Sequence, residues 1–268
     1  MFVGKLVVIT GGGSGIGAAL ARGFAANGAH VCVGDLNEDA AHRIATDVNG
    51  VAVACDVRCE TDVQNLIETA QKKFGDVDIF ISNAGLAKPE PAHAASAAND
   101  VWQLNWEVHV MSHVYAARAL LPTMIKRGNG HLVNVASAAG LLNQIGDAAY
   151  SATKHAAVSF AESLAISHND DGIDISVVCP QYVATPLIEM SDDTVVSGSL
   201  LSADDAAQQI LNGIAAKDFM ILPHPQVADY CKIRGADHAS WLSGMKGLRR
   251  KFLRESETGE LKDMHNFV

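Results

Sequence analysis

Positive charge is scarce in this chain. Lys and Arg number 20 against 30 Asp and Glu, a formal net charge of −10 over 268 residues. Nucleic-acid phosphates have to be met by a basic surface, so this balance disfavours DNA or RNA as a partner. Cysteine is sparse too, with five residues at positions 32, 55, 59, 179 and 231. Their number is odd and their spacing scattered, and no second pair joins Cys55 and Cys59 to make a zinc site. Cys32, Cys55 and Cys179 lie in apolar runs and read as small core residues. No apolar run is long enough to span a membrane. The first ten residues hold only a short apolar stretch that runs directly into a glycine loop, without a cleavage-like segment. They do not read as a signal peptide, and a soluble cytoplasmic protein is the expectation. Repeats and low-complexity segments are also absent.

What is present is a regular alternation. Short β-branched runs at 5–10, 30–34, 51–55, 78–82, 131–136, 173–179 and 219–222 predict strands. Amphipathic segments near 15–27, 38–48, 60–74, 99–127, 149–168 and 203–216 predict helices between them. The strand runs are continuously apolar, which indicates burial on both faces. Strand–helix alternation of this kind predicts an α/β fold, a doubly wound parallel sheet of seven strands with helices on both faces. Hydrophobic residues make up 49% of the chain, enough for one large core. The stretch 186–202, rich in Ser, Asp and Thr, reads as a loop, and residues 223–268 as a helical extension of the domain formed by 1–222.

The first strand ends in Gly11, Gly12, Gly13, Ser14, Gly15, Ile16 and Gly17, and a helix follows at once. Glycines there permit a tight turn and close approach of a phosphate, and the helix N-terminus offers free N–H groups to a pyrophosphate. Asp35 closes the second strand, where a carboxylate accepts hydrogen bonds from both adenosine ribose hydroxyls. It would repel a 2′-phosphate at a cost of roughly 1–4 kcal/mol for charges about 4 Å apart. No Lys or Arg is adjacent in sequence, so NAD(H) is predicted over NADP(H). Tyr150 and Lys154 stand four apart in a predicted helix and share one face. An ammonium beside a phenol favours the phenolate, and Lys154 is expected to lower the Tyr150 pKa and make the pair a proton-transfer device.

With Asn83, Ala84 and Gly85 after the fourth strand, and Ser137 thirteen residues before Tyr150, the chain resembles the classical short-chain dehydrogenases/reductases over about residues 1–222. The resemblance implies a Rossmann fold and a catalytic set of Asn105, Ser137, Tyr150 and Lys154. It implies that Tyr150 is general acid/base, that Ser137 steadies the reacting oxygen, and that Lys154 holds the nicotinamide ribose. Asn105 would hold a water in a relay from Lys154 to solvent. For NAD it implies contacts from Gly11, Ser14, Gly15, Ile16, Gly17, Asp35, Leu36, Asp56, Val57, Asn83, Ala84, Gly85, Tyr150, Lys154, Pro180, Val183 and Thr185. Asp56 would meet the adenine and Thr185 the carboxamide. The family usually assembles as a homotetramer, through helices such as those near 99–127 and 149–168.

One departure is Gln181, which follows Pro180 where the family usually has glycine; its side chain either bonds to substrate or points away. The substrate pocket implied by the family is mainly apolar here. Ser137, Asn143, Gln144, Tyr150, Gln181 and Leu187 are its expected contacts, and no Arg projects obviously into it. The expectation is therefore an NAD-dependent alcohol dehydrogenase or carbonyl reductase acting on a hydrophobic secondary alcohol or its ketone. The alternatives are a 3-oxoacyl thioester reductase, which Asp35 argues against because that role usually goes with NADPH, and a non-catalytic dinucleotide-binding regulator. His109 and His113 have the spacing of a metal pair, but without a third ligand they read as surface or subunit-contact residues. The basic run 246–254 could meet an acidic substrate group or a neighbouring subunit, with a solvated helix face the bland reading, and Trp241, Leu242, Met245 and Leu248 read as packing, although a tail folded over the cleft would make them pocket lining too.

Overall fold

The computed structural model describes residues 1–90, 92–190, 199–256 and 261–268. The strands are Leu6–Thr10 (β1), His30–Asp35 (β2), Val51–Ala54 (β3), Ile79–Ser82 (β4), Gly130–Val135 (β5), Ile173–Val178 (β6), Tyr182–Val183 (β7), Leu200–Leu201 (β8) and Met220–Ile221 (β9). Seven form one sheet in the order β3-β2-β1-β4-β5-β6-β9, every pairing parallel. The order reverses between β1 and β4, which opens a crevice at the carboxyl edge. This is the doubly wound, Rossmann-type sheet expected from the alternation. The short parallel pair β7-β8 lies outside it and was not foreseen.

The helices are Gly15–Ala26 (α1), Glu38–Asp47 (α2), Glu60–Phe74 (α3), Asn99–Trp106 (α4), Ser112–Arg127 (α5), Ala139–Leu142 (α6), Ala148–Ser167 (α7), Ala203–Ala216 (α8), Gln226–Ala236 (α9) and His238–Glu255 (α10). The central strands feed two cores, because successive side chains point to opposite faces. From β1, Leu6 and Val8 enter the core under α3, α5 and α7, while Val7 and Ile9 enter the core under α1, α2 and α8. The buried Cys32, Cys55 and Cys179 fill apolar space in the first of these cores.

One correction concerns a helix. The segment 99–127, expected as one helix, is divided by a π-helical turn at Glu107–Met111. The tail beyond 223 forms α9 and α10, which pack on one another and return to the main body through Val227 and Phe252. Of the loop expected at 186–202, residues 191–198 lie outside the described residues. Among the described residues no helix is long and apolar enough to cross a membrane.

Candidate active site

A cleft of about 1420 Å³ runs along the carboxyl edge of the sheet. The glycine loop forms its floor. Gly11 (φ +61°) and Gly15 (φ +49°) are in the left-handed region, where a side chain is strained. A Cβ on Gly11 would stand 2.7 Å from Ala84 Cα, and one on Gly17 would stand 2.1 Å from the Gly11 carbonyl oxygen. The Ser14 side chain makes no capping bond to α1, so the hydroxyl and the first helical N–H groups are directed to the cleft rather than to each other. The turn after β4 is fastened to the end of β1. Thr10 Oγ1 accepts the N–H groups of Asn83 and Ala84 at 3.0 and 3.2 Å, and Asn83 Nδ2 donates to the carbonyls of Thr10 and Gly11.

At one end of the cleft, the Asp35 carboxylate accepts N–H bonds from Gly13 and Asn37, both at 2.9 Å. Leu36, Asp56 and Val57 stand beside it in the wall. Arg58 reaches back over Asp56 with Nε 2.9 Å from Oδ1, and this bonding holds the Asp56 carboxyl below its ordinary range. The glycine cradle and the fixed Asp35 carboxylate fit a dinucleotide bound by its pyrophosphate and ribose.

At the other end stand Ser137, Tyr150 and Lys154. The first turn of α7 is capped by Asp147, whose Oδ1 accepts the Tyr150 N–H at 3.1 Å while Oδ2 accepts the Lys88 N–H at 3.2 Å. The cap therefore joins the helix that carries Tyr150 to the loop after β4. Burial raises the Asp147 pKa to about 6. Ser137 and Tyr150 line the same end of the cleft, and Ser137 Oγ donates to the Pro180 carbonyl at 3.4 Å and accepts the Ala139 N–H at 3.1 Å. Lys154 is buried, donates to the Val135 carbonyl at 2.9 Å, and sits 5.6 Å from the Tyr150 ring centroid.

The electrostatics differ from the sequence-based expectation. Burial pushes the Tyr150 phenol up to about 12, and the nearby Ser137 hydroxyl offsets only part of that rise. Burial also brings Lys154 down to about 8, so desolvation outweighs the ammonium's expected effect on the phenol.

Of the residues expected at the site, all line this cleft except two. Asn143, at the end of α6 with φ +69°, instead lines a neighbouring cavity of about 260 Å³. Asn105 is fully buried behind the cleft, with Nδ2 donating to the Val101 carbonyl at 2.9 Å and Oδ1 without a partner. A π-helical turn begins two residues later, at Glu107.

His109 and His113 are corrections as well, for both are buried rather than at the surface. Burial and the nearby Lys154 charge bring the His113 pKa down to about 3 and hold His109 well below the usual imidazole value. Among the described residues no group of three or more His, Cys, Asp or Glu could hold a metal.

Gln181 has a partner within the protein. It lines the cleft, and its Oε1 accepts a bond from Gln226 Nε2 at 3.2 Å, the first residue of α9. Gln144 and Tyr182 bond mutually, the phenol donating to Oε1 at 3.2 Å and accepting from Nε2 at 3.1 Å. The tail also contributes wall. Arg249, Phe252 and Leu253 line the main cleft, and Trp241, Met245 and Leu248 line the smaller cavity. Arg58 and Arg249 thus both border the cleft, where no arginine was expected. The sequence signal for the tail residues was their helical spacing, which left the surface they meet open.

Comparison with known proteins agrees with this geometry. A family model described as short chain dehydrogenase matches residues 5–195. The 1-deoxy-11-beta-hydroxypentalenate dehydrogenase of Streptomyces exfoliatus is 32% identical over 225 residues, covering 81% of this chain and 82% of the relative. A short-chain dehydrogenase/reductase from Burkholderia phymatum, solved in complex with NAD, superposes with a TM-score of 0.80 at 29% identity, covering 89% of this chain and 95% of that one. The 3-ketoacyl-(acyl-carrier-protein) reductase of Brucella melitensis, solved with NADH, gives a TM-score of 0.75 at 31% identity and covers 83% and 96%.

Proposed function

Since the chain belongs to the short-chain dehydrogenase family, we propose that it is an NAD(H)-dependent oxidoreductase interconverting a hydrophobic secondary alcohol and its ketone, with Tyr150 as general acid/base. The observation that carries this reading is that Ser137, Tyr150 and Lys154 line the same cleft as the glycine loop and Asp35. The bound cofactor supplies hydride to the carbonyl carbon or removes it from the carbinol carbon.

The protein's own groups do the rest. With a pKa of about 12 the phenol is protonated at neutral pH and is a proton donor to a carbonyl oxygen becoming an alkoxide. The Ser137 hydroxyl, on the same oxygen, stabilises the charge that develops there. Lys154, buried and close to half-charged near pH 8, keeps a positive field beside the reacting oxygen and returns a proton to the phenol's surroundings. In the oxidative direction these proton movements reverse, and the phenolate accepts the hydroxyl proton.

The walls between Tyr150 and the mouth are largely apolar, with Leu86, Ala87, Pro89, Ile145 and Leu187 on them. A hydrophobic alcohol gains about 25 cal/mol for each Å² it buries there. Its polar contact away from the reacting oxygen falls to Gln144 and Tyr182. The likeness to the Streptomyces hydroxypentalenate dehydrogenase supports a hydroxyl-bearing substrate. The likeness to the Brucella reductase supports a second reading, a 3-oxoacyl thioester, and because that protein is complexed with NADH the acid at Asp35 does not separate the two.

The test is NADH absorbance with NAD⁺ or NADP⁺ against cyclic, aryl and steroid-like secondary alcohols, and in reverse against their ketones and a 3-oxoacyl thioester. The reading requires turnover of an alcohol with NAD⁺. Exclusive use of the thioester would replace it, and no turnover of any member by a protein that binds NADH would refute it.

A further inference from the structure

His109 sits in the π-helical turn between α4 and α5, with no exposed surface. Its ring touches three separate elements. Nε2 accepts the Leu86 N–H at 3.2 Å, in the segment after β4 that borders the cleft. Nδ1 lies 3.0 Å from Thr153 Oγ1 on α7. The ring edge meets the face of Tyr150 at a centroid distance of 5.2 Å and an interplanar angle of 87°. A Cβ placed on Gly85 would have His109 Nε2 at 3.7 Å and Lys154 Nζ at 3.8 Å, so the imidazole and the ammonium flank one spot beside the cofactor edge of the sheet.

The donors and acceptors allow one tautomer. A backbone N–H can only donate, so Nε2 carries no proton. The neutral ring then bears its proton on Nδ1 and donates it to Thr153 Oγ1. The Thr153 hydroxyl passes its own proton to the Ala149 carbonyl at 2.9 Å. Each hydrogen in the chain has an acceptor, and a second ring proton would face the Leu86 N–H with no lone pair to offer. The desolvated site beside Lys154 disfavours that cation as well.

We propose that His109, as a neutral Nδ1–H imidazole, is the positioning residue of this site: it clamps the 83–86 turn to the stretch of α7 that carries Tyr150, Thr153 and Lys154. The rate consequence rests on the oxidoreductase reading; the clamp does not. Thr153 lies between Tyr150 and Lys154 in sequence, so a pull on its hydroxyl acts on both. The π-helical turn is what brings the ring into this position, one turn beyond Asn105.

Two measurements that need no substrate decide the clamp. Nitrogen-15 NMR of the wild-type protein at pH 7 should show His109 with Nδ1 protonated and Nε2 bare; the Nε2–H form or an imidazolium overturns the proposal. Hydrogen exchange at the Leu86 amide should accelerate in His109→Phe, which keeps an aromatic ring against Tyr150 without an acceptor, and be restored in His109→Gln, whose amide oxygen can reach the same N–H. Equal protection in all three forms also overturns it. For the rate, His109→Phe should lower kcat by about ten- to a hundredfold with NADH affinity kept within about threefold, and His109→Gln should recover most of the loss. An unchanged kcat in a folded His109→Phe removes the positioning role. A wild type that turns over no alcohol defeats the activity reading alone, since the tautomer and the Leu86 amide still decide the clamp.

Discussion

Asp35 Oδ2 accepts the Gly13 N–H at 2.9 Å, so the acid that ends β2 is fastened to the glycine loop. Its position relative to a bound ribose is therefore set by the loop itself. Asp35→Ala should raise the ratio of kcat/KM with NADP⁺ to that with NAD⁺ by roughly ten- to several-hundredfold, the equivalent of about 1–4 kcal/mol of relieved repulsion. Arg58, paired with Asp56 in the same wall, would remain as the nearby cation. Steady-state kinetics with both cofactors check this, and an unchanged ratio would remove Asp35 as the discriminating group.

Tyr150→Phe removes the proton donor while keeping the ring that packs on His109. We expect kcat to fall by about 10²- to 10⁴-fold. NADH affinity, read by fluorescence titration, should stay within about threefold because the glycine loop and Asp35 are untouched. Turnover near the wild-type level would overturn the assignment.

Lys154 gives a pH dependence whose sign can be worked out. Its pKa in the folded protein, about 8, is below the ordinary 10.5, so between those values the unfolded chain binds more protons. Stability contributed by this group therefore rises with pH across about 8 to 10.5, and below about 8 the buried charge costs on the order of 3 kcal/mol. Lys154→Met should be more stable than wild type at pH 7 and lose that advantage by pH 10.5, as read by urea unfolding at each pH. A difference between the two proteins that does not vary with pH would contradict the assignment.

Gly140 marks the close approach of α6 to α7. A Cβ there would stand 2.5 Å from the Lys154 carbonyl oxygen and 2.8 Å from its carbon, both backbone atoms that cannot swing aside. Gly140→Ala should cost about 1–3 kcal/mol through overpacking. It should also lower kcat, because the displaced helix carries Tyr150 and Lys154. Gly235 in α9 has open space around it, and Gly235→Ala should instead add about 0.5–1 kcal/mol through helix propensity. Thermal melts of the two variants should move in opposite directions.

Most of the scaffold was legible because its signals are local. The buried β-branched runs and the glycine loop fall within a residue or two of the elements they predict, and Asp35, Ser137, Tyr150 and Lys154 meet in one cleft. What was not legible depends on distance through space. Arg249 and Phe252 look like parts of a solvated helix until α10 is seen against the cleft mouth. The phenol's raised pKa follows from burial, which a Tyr–Lys spacing does not report. His109 was misread because two histidines four apart suggest a metal or a surface, and only the packing of α7 shows what the ring touches.

Buried positions from Val108 through Ser112, Ala116, Leu120 and Met124 recur every four residues. A turn of α-helix closes in 3.6 residues, so strict fours precess by about 40° per turn. The wide turn at Glu107–Met111 takes up part of that precession, acting as a phase adjuster between two otherwise regular helices. Deleting one residue from it would close the segment into a regular α-turn, with α5 keeping its length and its buried face. The wide turn is thus a spare residue that the helix carries, and its loss would fall on the turn's own side chains, His109 among them, rather than on the core downstream.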